Sequence, residues 1–527
     1  MTDLAPGNPT ANPDVAVVGA GVIGCAVAWA LTKAGRRVLL IDRADPATAG
    51  ASFGNVGHIA TEQLQPLPST QLLFNFWREL AAFGGVLDIP LRRVLTIAPW
   101  MTRFALAAFR QEANTRHLAP LVSNAADVLE SQLLEVGRGD LIRRNGHYAI
   151  WLGPNARLKA AAARSHASSV GVPANDPPAE LLRAAAAAAR QTNISAGAGA
   201  ANADATGTGG RADSSSRSEL AHAATAGSTA SANSIAGSTA SANRFAGSTA
   251  SGNGTAGSAA SANATTGSTA SANGTAGSAA AGAGKTPAGR GASLGDLGAA
   301  GVWYPASAHV LDPSLVARAF ATASMQGGGS ILRAEVRHVR PRGDSIEIVT
   351  DHGTLSPRTA VICAGAWSRP LLAPFGINAP VEAERGYHIE LPDHAPLIDA
   401  PILYADHSVV VTPMASRLRA STFLEFAGLS SPPDPDKPRR LRAKVRQMGY
   451  QCDPDGPSWM GPRPTLPDYL PGIGRARGPH ELYYAVGHQH LGLTLSAVTA
   501  DLIAALVMGR TPRFEVKAFD LKRFGSP

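Results

Sequence analysis

Residues 14–42 read DVAVVGAGVIGCAVAWALTKAGRRVLLID, and this stretch decides the fold. The apolar run Val15–Val18 predicts a β-strand, which leads directly into a G-x-G-x-x-G pattern that begins at Gly19. Apolar residues at helical spacing follow and predict a helix that ends at Gly35, and a second predicted strand ends on Asp42. This order of strand, glycine turn, helix, strand and acid is typical of a dinucleotide-binding unit.

Each part of this unit has a chemical reason. Gly19 permits the tight turn, Gly21 lets a pyrophosphate approach the backbone, and Gly24 allows the helix to pack closely on the strand. The helix N-terminus presents unpaired N–H groups and a positive dipole end to the phosphates, and Asp42 is placed to accept hydrogen bonds from a ribose hydroxyl. The pattern alone does not distinguish FAD from NAD. We assign cofactor binding in this stretch to Gly19, Ala20, Gly21, Val22, Ile23, Gly24, Asp42 and Arg43.

Composition narrows the class of protein. The 527 residues are enough for two or three domains, and a hydrophobic content of 45% predicts a sizeable core. The three cysteines form no C-x-x-C pair, so we predict neither a disulfide framework nor a metal site. The net charge of +8 is scattered and is not interleaved with aromatic residues, which argues against nucleic-acid binding.

Targeting signals are also not evident in the sequence. No apolar segment reaches the length of about 18 residues that a transmembrane helix needs. Residues 1–13 have neither a basic region nor an apolar region, so we predict a short disordered lead and no signal peptide. We expect a cytoplasmic protein, with weak peripheral attachment to the anionic inner face of a membrane as an open alternative.

The composition changes abruptly over residues 179–301, where Ala, Gly, Ser, Thr and Asn predominate. From Ala226 onward the segment AGSTASANSI recurs in varied form with a period of ten residues. Large apolar residues are scarce here, so burial cannot offset the entropy of ordering the chain. We predict a low-complexity, disordered insertion.

The remaining sequence alternates between helical and strand patterns. Residues from about 68 to 135 are mostly helical in pattern. We predict single strands over Ser330–Val339 and Val381–Leu391, the second with alternating burial, and a charged surface helix over Arg439–Gln447. Asp312 and Pro313 are predicted to be the N-cap and first residue of a helix that runs to about Met325. The proline-rich segment Trp459–Gly474 is predicted to be a rigid, turn-rich loop.

Five landmarks of the chain occur together in one order. They are GAGVIG with Asp42, ASFGNVG at residues 51–57, AGAWS at 364–368, MGPRPTLPDYLPGIG at 460–474 and GHQHLGLT at 487–494. With these landmarks the chain resembles the FAD-dependent oxidoreductases of the D-amino-acid oxidase family, above all the bacterial D-amino-acid dehydrogenases, including the D-hydroxyproline dehydrogenases. The resemblance covers nearly everything except the lead and the insertion.

The resemblance implies an α/β fold with two domains. A Rossmann-like FAD-binding domain of the glutathione-reductase type would be assembled from residues 14–70, 302–378 and 455–527. A second, α+β substrate domain, built on a mainly antiparallel sheet, would take residues 71–178 and 379–454 and cover the flavin face. FAD is the cofactor that the resemblance implies.

The resemblance also implies cofactor contacts outside the fingerprint. The segment at residues 52–57 would approach the flavin, and the loop at 487–494 would direct N–H groups and the final helix N-terminus at the flavin N1/C2=O edge, stabilising the anionic reduced flavin. Further cofactor-binding residues are predicted at Ser52, Asn55, Gly57, Val336, Ala364, Gly365, Trp367, Gly461, Gly487, His488, Leu491, Gly492, Leu493 and Thr494.

Candidate substrate-binding residues are fewer. Arg463 matches the arginine that pairs with the substrate carboxylate in related amine oxidases, and contact with loop carbonyls or flavin is its alternative role. Arg385 and Tyr387 lie two apart on one predicted strand and so face the same side, either toward the site or toward solvent. Three histidines either line the site or serve as structural hydrogen-bonding residues, and these are His58, His488 and His490.

The activity implied is oxidation of a D-amino acid, or of a cyclic secondary amine such as D-proline or hydroxy-D-proline. The carboxylate would dock on arginine, and hydride transfer from Cα to flavin N5 would give an imine that water hydrolyses or opens. The electrons would pass to a quinone or another acceptor.

A sarcosine- or glycine-type oxidase and a flavoprotein subunit of a larger complex remain alternatives, and the oligomeric state stays open. An NAD-dependent dehydrogenase is a weaker reading, because the C-terminal landmarks would then have no role.

Overall fold

A computed structural model describes residues 13–80, 85–190, 298–391 and 398–525. The predicted lead, apart from residue 13, and residues 191–297 of the predicted insertion lie outside this part of the chain. Residues 179–190 are helical, and a strand begins at Ala299, so regular structure extends into both ends of the predicted insertion. The alanine-rich segment at 179–190 forms a helix because alanine has the highest helix propensity and because Leu182 and Ala185 are buried.

The described strands and helices follow one another along the chain in a mixed order. The strands are β1 Val15–Val18, β2 Val38–Asp42, β3 His58–Ile59, β4 Leu87–Asp88, β5 Ile142–Arg143, β6 His147–Leu152, β7 Ala299–Tyr304, β8 Ala308–Val310, β9 Ser330–Arg333, β10 Val336–Arg342, β11 Ser345–Thr350, β12 Gly353–Leu355, β13 Thr359–Ile362, β14 Glu382–Leu391, β15 Ile402–Tyr404, β16 Val409–Pro413, β17 Leu418–Glu425, β18 Ser458–Thr465, β19 Gly472–Arg475 and β20 Glu481–Val486. The helices are α1 Val22–Lys33, α2 Gly50–Phe53, α3 Thr70–Glu79, α4 Val94–Ala108, α5 Gln111–Ser123, α6 Ala125–Glu135, α7 Ala156–Ser169, α8 residues 179–190, α9 Pro313–Gln326, α10 Ser368–Leu372, α11 Asp436–Gln447 and α12 Ser496–Val507.

The first sheet has the strand order β19-β20-β13-β1-β2-β9. Neighbouring strands of this sheet pair in parallel, except the edge pair β19 and β20, which is antiparallel. Helix α1 is buried along almost its whole length, because it lies between this sheet and the helices α9 and α12. The Trp29 ring of α1 packs 5.4 Å from the Phe320 ring of α9. The predicted Rossmann-like unit is confirmed.

The second sheet has the order β18-β14-β17-β16-β15-β6-β7, with β4 beside β17. Its pairs are antiparallel except β15 with β6 and β17 with β4, which confirms the predicted mainly antiparallel sheet. Helix α11 packs on β14 and β17. This helix was predicted as a charged surface helix, yet Leu441 and Val445 on its inner face are buried.

Part of the segment predicted as a loop at Trp459–Gly474 is the edge strand β18. It pairs with β14 from Ser458 to Thr465, and Pro462 and Pro464 lie within the paired stretch. An edge strand donates to one neighbour only, so alternate prolines are compatible with it. The two prolines therefore indicate an edge rather than a break.

Two other strand predictions also need correction. The single strand predicted over Ser330–Val339 divides into β9, in the first sheet, and β10, in a separate sheet with β11 and β12. The chain leaves the first sheet at Ala334, whose N–H donates to Asp42 O (2.9 Å). Strand β14 does not alternate in burial, because it is an inner strand and both of its faces are covered from Ala383 to Ile389.

Smaller elements agree with the local sequence signals. Asp312 caps α9 by accepting a hydrogen bond from the Ser314 N–H (2.9 Å), and Pro313 occupies the first turn, as predicted. A separate small sheet has the strand order β3-β8-β5, and its strand β3 holds the segment after residue 57. Across the ranges that the structure describes, no helix has both the length and the apolar character required to span a bilayer.

We expect Gly24→Ala to destabilise the fold and to lower FAD retention. A Cβ at this position would lie 1.8 Å from Gly19 O, so α1 would have to move away from β1. Overpacking of this kind costs about 1–3 kcal/mol, which denaturant unfolding measures. Ala30→Gly in the same helix is the control, because it loses helix propensity (about 1 kcal/mol) and a buried methyl group without forcing the helix away from Gly19. A Gly24→Ala protein as stable as the wild type would contradict the close contact.

Candidate active site

A cavity opens at the carboxyl ends of β1, β2 and β13 and reaches β14 and β18 of the second sheet. Ligands of open α/β sheets bind at this edge, so the fold itself favours this position. Nineteen of the predicted site residues line the cavity, namely Gly19, Gly21, Val22, Ile23, Asp42, Arg43, Ser52, Asn55, Val336, Ala364, Gly365, Trp367, Tyr387, Gly461, Arg463, His488, His490, Gly492 and Leu493. Seven do not, namely Ala20, Gly24, Gly57, Arg385, Gly487, Leu491 and Thr494.

Asp42 organises the turn at the cavity end of β2. Its carboxylate accepts hydrogen bonds from the Ala20 N–H (2.7 Å) and the Ala44 N–H (2.9 Å). Each carboxylate oxygen retains a further lone pair, and the side chain lies on the cavity wall. Asp42 therefore supports the turn and is placed to accept a ribose hydroxyl, while Ala20 contributes through its backbone.

The three glycines of the fingerprint differ in their surroundings. A Cβ on Gly19, which has φ of +110°, would lie 2.4 Å from Cys363 O, so this glycine lets the turn pack against the end of β13. Gly24 makes room for Gly19 and lies behind the wall. A Cβ on Gly21 would face the cavity and lie 3.2 Å from Ser52 Oγ. Gly21 is thus the position at which a pyrophosphate can approach the backbone.

The segment at residues 50–57 joins the two sheets at the cavity. Ser52 Oγ accepts the Val22 N–H (2.9 Å) at the first turn of α1. Asn55 Oδ1 accepts the Gly57 N–H (2.8 Å), which closes a local turn. The buried Arg419 of β17 donates from Nη1 to Asn55 O (2.6 Å) and holds this segment against the second sheet.

Trp459 is a cavity residue that the sequence analysis missed. Its ring fills the space over Gly54 and Gly461, where an added Cβ would lie 2.0 Å and 1.9 Å from the indole. The indole also stacks on His388 at 5.2 Å, and the Nδ1 of His388 is 2.9 Å from Gly54 O. Burial lowers the pKa of His388 to about 3, so its ring is neutral at pH 7. The position of this tryptophan, immediately before the landmark at 460–474, was the available signal.

The predicted flavin loop at residues 487–494 lies at the N-terminal side of α12. His488 is buried, its Nε2 is 3.0 Å from Thr499 Oγ1, and burial lowers its pKa to about 3. Thr494 does not face the cavity, because its Oγ1 accepts the Ala60 N–H (3.2 Å). The exposed side chain of His490 borders the cavity, and its Nε2 lies 2.6 Å from Gln63 Oε1.

Arg463 of β18 lies on the cavity wall in a constrained position. Its Nη1 donates to Glu384 Oε1 and to Phe423 O, both at 3.2 Å. The guanidinium crosses directly over Gly386, where an added Cβ would lie 2.1 Å from Nη2. Gly386 therefore makes room for the arginine head group, which is the predicted carboxylate-binding group.

Glu384 is a second residue that the sequence analysis missed. Its side chain is fully buried, and it accepts hydrogen bonds from Tyr469 OH (2.7 Å) and Thr465 Oγ1 (3.2 Å) besides that from Arg463. Burial and the Glu384 carboxylate raise the pKa of Tyr469 well above its usual value, so the phenol remains a donor. No local signal in the sequence distinguishes Glu384 from Glu382 and Glu390 of the same strand. Glu384 holds the guanidinium of Arg463 in place.

Arg385 is removed from the predicted substrate-binding residues. It is buried away from the cavity, with Nε 2.7 Å from Glu425 Oε2 and with donations to Ser431 O (2.7 Å) and Pro432 O (2.8 Å). Tyr387 lies on the same side, as predicted; the residue borders the cavity, but its side chain is buried. Its hydroxyl is bonded to Arg385 and Glu425, so it points into this internal network.

His58 lies behind the cavity wall, beside Glu62. Burial lowers the pKa of His58 to about 3. Burial opposes ionisation of the Glu62 carboxyl, but the neighbouring rings of His58 and His147 outweigh it and lower the Glu62 pKa to about 2. His58 therefore does not contact the space in which a cofactor would lie.

The donor set of the cavity fits FAD. Asp42 could accept a ribose hydroxyl, and Gly21 with the N-terminus of α1 could receive the phosphates. The N-terminus of α12 lies behind the loop at 487–494. The family model described as "FAD dependent oxidoreductase" matches residues 14–226 and 274–506. The chain belongs to this family of FAD-dependent oxidoreductases, and FAD is its cofactor.

Relatives and solved structures agree with this assignment. A D-amino-acid oxidase of Bradyrhizobium diazoefficiens is 34% identical over 232 residues, or 42% of this chain and 55% of that protein. A D-amino acid dehydrogenase of Paramagnetospirillum magneticum is 30% identical over 246 residues, or 45% of this chain and 57% of that protein. The chain thus matches little more than half the length of these relatives.

The fold is also seen in two solved structures. Glycine oxidase from Geobacillus kaustophilus aligns with a TM-score of 0.58 and 16% identity, covering 97% of this chain and 98% of that one. L-proline dehydrogenase from P. horikoshii aligns with a TM-score of 0.56 and 14% identity, covering 97% and 98%. Both similarities establish the fold alone.

We expect Asp42→Asn to weaken FAD binding about tenfold or more, since a hydrogen bond to a charged acceptor is worth about 1.5–3 kcal/mol. The amide places an N–H₂ donor where the carboxylate accepts from backbone N–H groups and faces the cavity. Titration of the apoprotein with FAD, followed by flavin fluorescence, measures the change. Asp45→Asn is the control, because Asp45 accepts the Ala47 N–H in the same loop but does not line the cavity. Equal FAD affinity in wild type and Asp42→Asn would exclude the role.

Proposed function

We propose that the protein oxidises a D-amino acid, or a cyclic secondary amino acid such as D-proline or hydroxy-D-proline, and passes the electrons to a quinone or another acceptor. The observation that carries the proposal is the arginine on the cavity wall: Arg463, held by the buried Glu384. Membership of the FAD-dependent oxidoreductases supports the redox chemistry. The names of the relatives, D-amino-acid oxidase and D-amino acid dehydrogenase, support the substrate class.

The hydrogen bonding of Arg463 supports binding of a carboxylate. Within the described part of the chain, its side-chain hydrogen bonds come from Nη1, which donates to Glu384 and Phe423. The guanidinium is planar and carries five N–H donors, so Nη2 and Nε are available to a second carboxylate. The side chain is 22% exposed. A small amino acid can therefore reach this guanidinium through the cavity.

The chain's own residues position the substrate and shield it from water. FAD, when bound, supplies the acceptor of a hydride, which carries two electrons. Arg463 would orient the Cα–H bond by holding the carboxylate, and the ring of Trp459 would shield the bound substrate from water. This chemistry depends on orientation, so no dedicated side-chain base is required.

An anaerobic screen tests the proposal. The FAD-loaded protein is mixed with D- and L-amino acids, including the prolines and hydroxyprolines, and with sarcosine and glycine, and loss of flavin absorbance is recorded. Bleaching by D-amino acids or D-prolines is expected. Bleaching by sarcosine or glycine together with production of hydrogen peroxide in air would favour the glycine-type oxidase. Absence of bleaching with every amino acid would overturn the proposal.

We expect Arg463→Ala to lower kcat/KM about 10- to 150-fold, because a charged hydrogen-bond pair is worth about 1.5–3 kcal/mol. The loss should fall mainly on KM while FAD content stays unchanged. Gly386→Ala should act in the same direction by displacing the guanidinium. Arg477→Ala, an exposed arginine away from the cavity, is the control. Wild-type kinetics in Arg463→Ala would remove this arginine from the proposed role.

We also propose peripheral attachment to the inner face of a membrane. Helices α3 and α4 pack together and leave large apolar side chains exposed: Phe74 by 83%, Leu91 by 91%, Leu95 by 86% and Phe109 by 74%. Exposed arginines accompany them on the same two helices and their flanks, at Arg78, Arg92, Arg103 and Arg110. Apolar side chains with arginines among them are typical of surfaces that enter the headgroup region of an anionic bilayer.

We expect the double variant Phe74→Ser, Leu95→Ser to bind anionic vesicles at least about tenfold more weakly, because burying one such side chain contributes about 1.5–3 kcal/mol. Co-sedimentation with phosphatidylserine-containing and with neutral vesicles measures the binding. Leu158→Ser, which changes an equally exposed leucine on α7, is the control. Failure of the wild type to sediment with anionic vesicles would refute the attachment.

A further inference from the structure

Three side chains from two distant segments meet behind the cavity wall. They are His58 of β3, Glu62 in the turn that follows, and His147 at the start of β6. Their side chains are 6%, 4% and 3% exposed. Glu62 Oε1 lies 3.5 Å from His58 Nε2 and 3.4 Å from His147 Nδ1, and the two imidazole rings are 4.2 Å apart.

The atoms that face one another in this cluster make no hydrogen bonds. His58 Nε2, Glu62 Oε1 and both ring nitrogens of His147 are buried and have no hydrogen-bond partner. The other carboxylate oxygen of Glu62 accepts from Ser307 Oγ at 2.6 Å, so it is already satisfied. A buried polar atom without a partner costs about 1–3 kcal/mol. Several such atoms converging on one point indicate a ligand between them.

A second, partly buried cluster of carboxylates in this protein is neutralised by a lysine. Asp88, Glu425 and Asp434 also converge, but Lys437 Nζ lies among them at 2.5 Å, 3.1 Å and 2.8 Å. That site therefore contains its own cation. Among the described residues, the ion-pair contacts of Glu62 within 4.0 Å are with the two histidines, and neither a lysine nor an arginine takes the place that Lys437 has.

We propose that His58, Glu62 and His147 bind a divalent transition-metal ion, with Zn²⁺ as the best fit. Imidazole nitrogens and a carboxylate oxygen are ordinary Zn²⁺ ligands. With Zn–N and Zn–O distances of about 2.0–2.2 Å, the edges of a tetrahedron are about 3.3–3.5 Å, whereas neighbouring ligands of an octahedron would be about 3.0 Å apart. The observed separations of 3.4 Å and 3.5 Å match the tetrahedral edge.

The surroundings assign this ion a structural role. None of the three ligands lines the cavity, so the ion does not contact the substrate. His58 belongs to the small sheet with β8, and His147 belongs to the second large sheet. The hydroxyl of Ser307 orients the Glu62 carboxylate from outside the ligand set, as partners of metal ligands commonly do. The ion would fasten the segment that follows residue 57 to strand β6.

Metal titration of the full-length, FAD-loaded protein tests the proposal. The protein is treated with a chelator, and ZnCl₂ or CoCl₂ alone is then added. We expect one ion per chain, the intense visible bands of four-coordinate Co²⁺, and a higher Tm with Zn²⁺. Glu62→Gln and His147→Gln should weaken binding at least about tenfold, since loss of even an outer partner costs about 10- to 100-fold.

His166→Gln is the matched control, because His166 is a buried histidine on α7 outside the cluster. It should bind Zn²⁺ as the wild type does, and the flavin spectrum of each variant reports whether the protein has folded. Wild type that binds neither Zn²⁺ nor Co²⁺, or variants that bind both unchanged, would overturn the proposal. If neither variant retains FAD, the wild-type Co²⁺ spectrum decides: four-coordinate bands support the site, and their absence excludes it.

Discussion

A contact that only glycine permits holds the N-terminus of α1 at the end of β1. Because a Cβ on Gly24 would lie 1.8 Å from Gly19 O, the helix can approach the turn closely only without that atom. The approach places the Val22 N–H against Ser52 and the Ala20 N–H against Asp42. The phosphate and ribose positions of the cofactor site both follow from this single packing distance.

The two large sheets meet at the cavity through backbone carbonyls of one short segment. Arg419 and His388 extend from the second sheet and contact Asn55 O and Gly54 O at 2.6 Å and 2.9 Å. Arg419 is itself held by Glu390, to which its Nε donates at 2.9 Å. The segment that runs beside the cofactor site is therefore anchored to the sheet that carries Arg463. This anchoring fixes the position of the segment at residues 54–55 relative to the strands of the second sheet.

Several predictions succeeded because their causes are local. The fingerprint unit, the cap of α9 by Asp312 and the glycine loop before α12 depend on residues a few positions apart, whose turn and capping preferences are strong. The predictions that failed depend on neighbours that are distant in sequence. Strand β18 was predicted as a loop, because prolines are compatible with a strand only at the edge of a sheet and the edge position depends on distant strands. Arg385 was predicted to face either the site or solvent, and it faces neither, because backbone acceptors more than 40 positions away, Ser431 O and Pro432 O, hold it inside the protein.

The sequence by itself determined the Rossmann-like unit, the FAD family and nearly half of the residues on the cavity wall, because short-range periodicity and glycine patterns encode them. Only the tertiary structure decided which of the two candidate substrate-binding arginines, Arg385 or Arg463, lines the cavity. Arg463 and Glu384 are 79 positions apart, and strand pairing in one register brings them together over Gly386. The meeting of His58 and Glu62, four positions apart, with His147 was likewise decided by folding, since no local spacing relates His147 to the other two. Such contacts arise from sheet register and burial, which no pattern within a single segment contains.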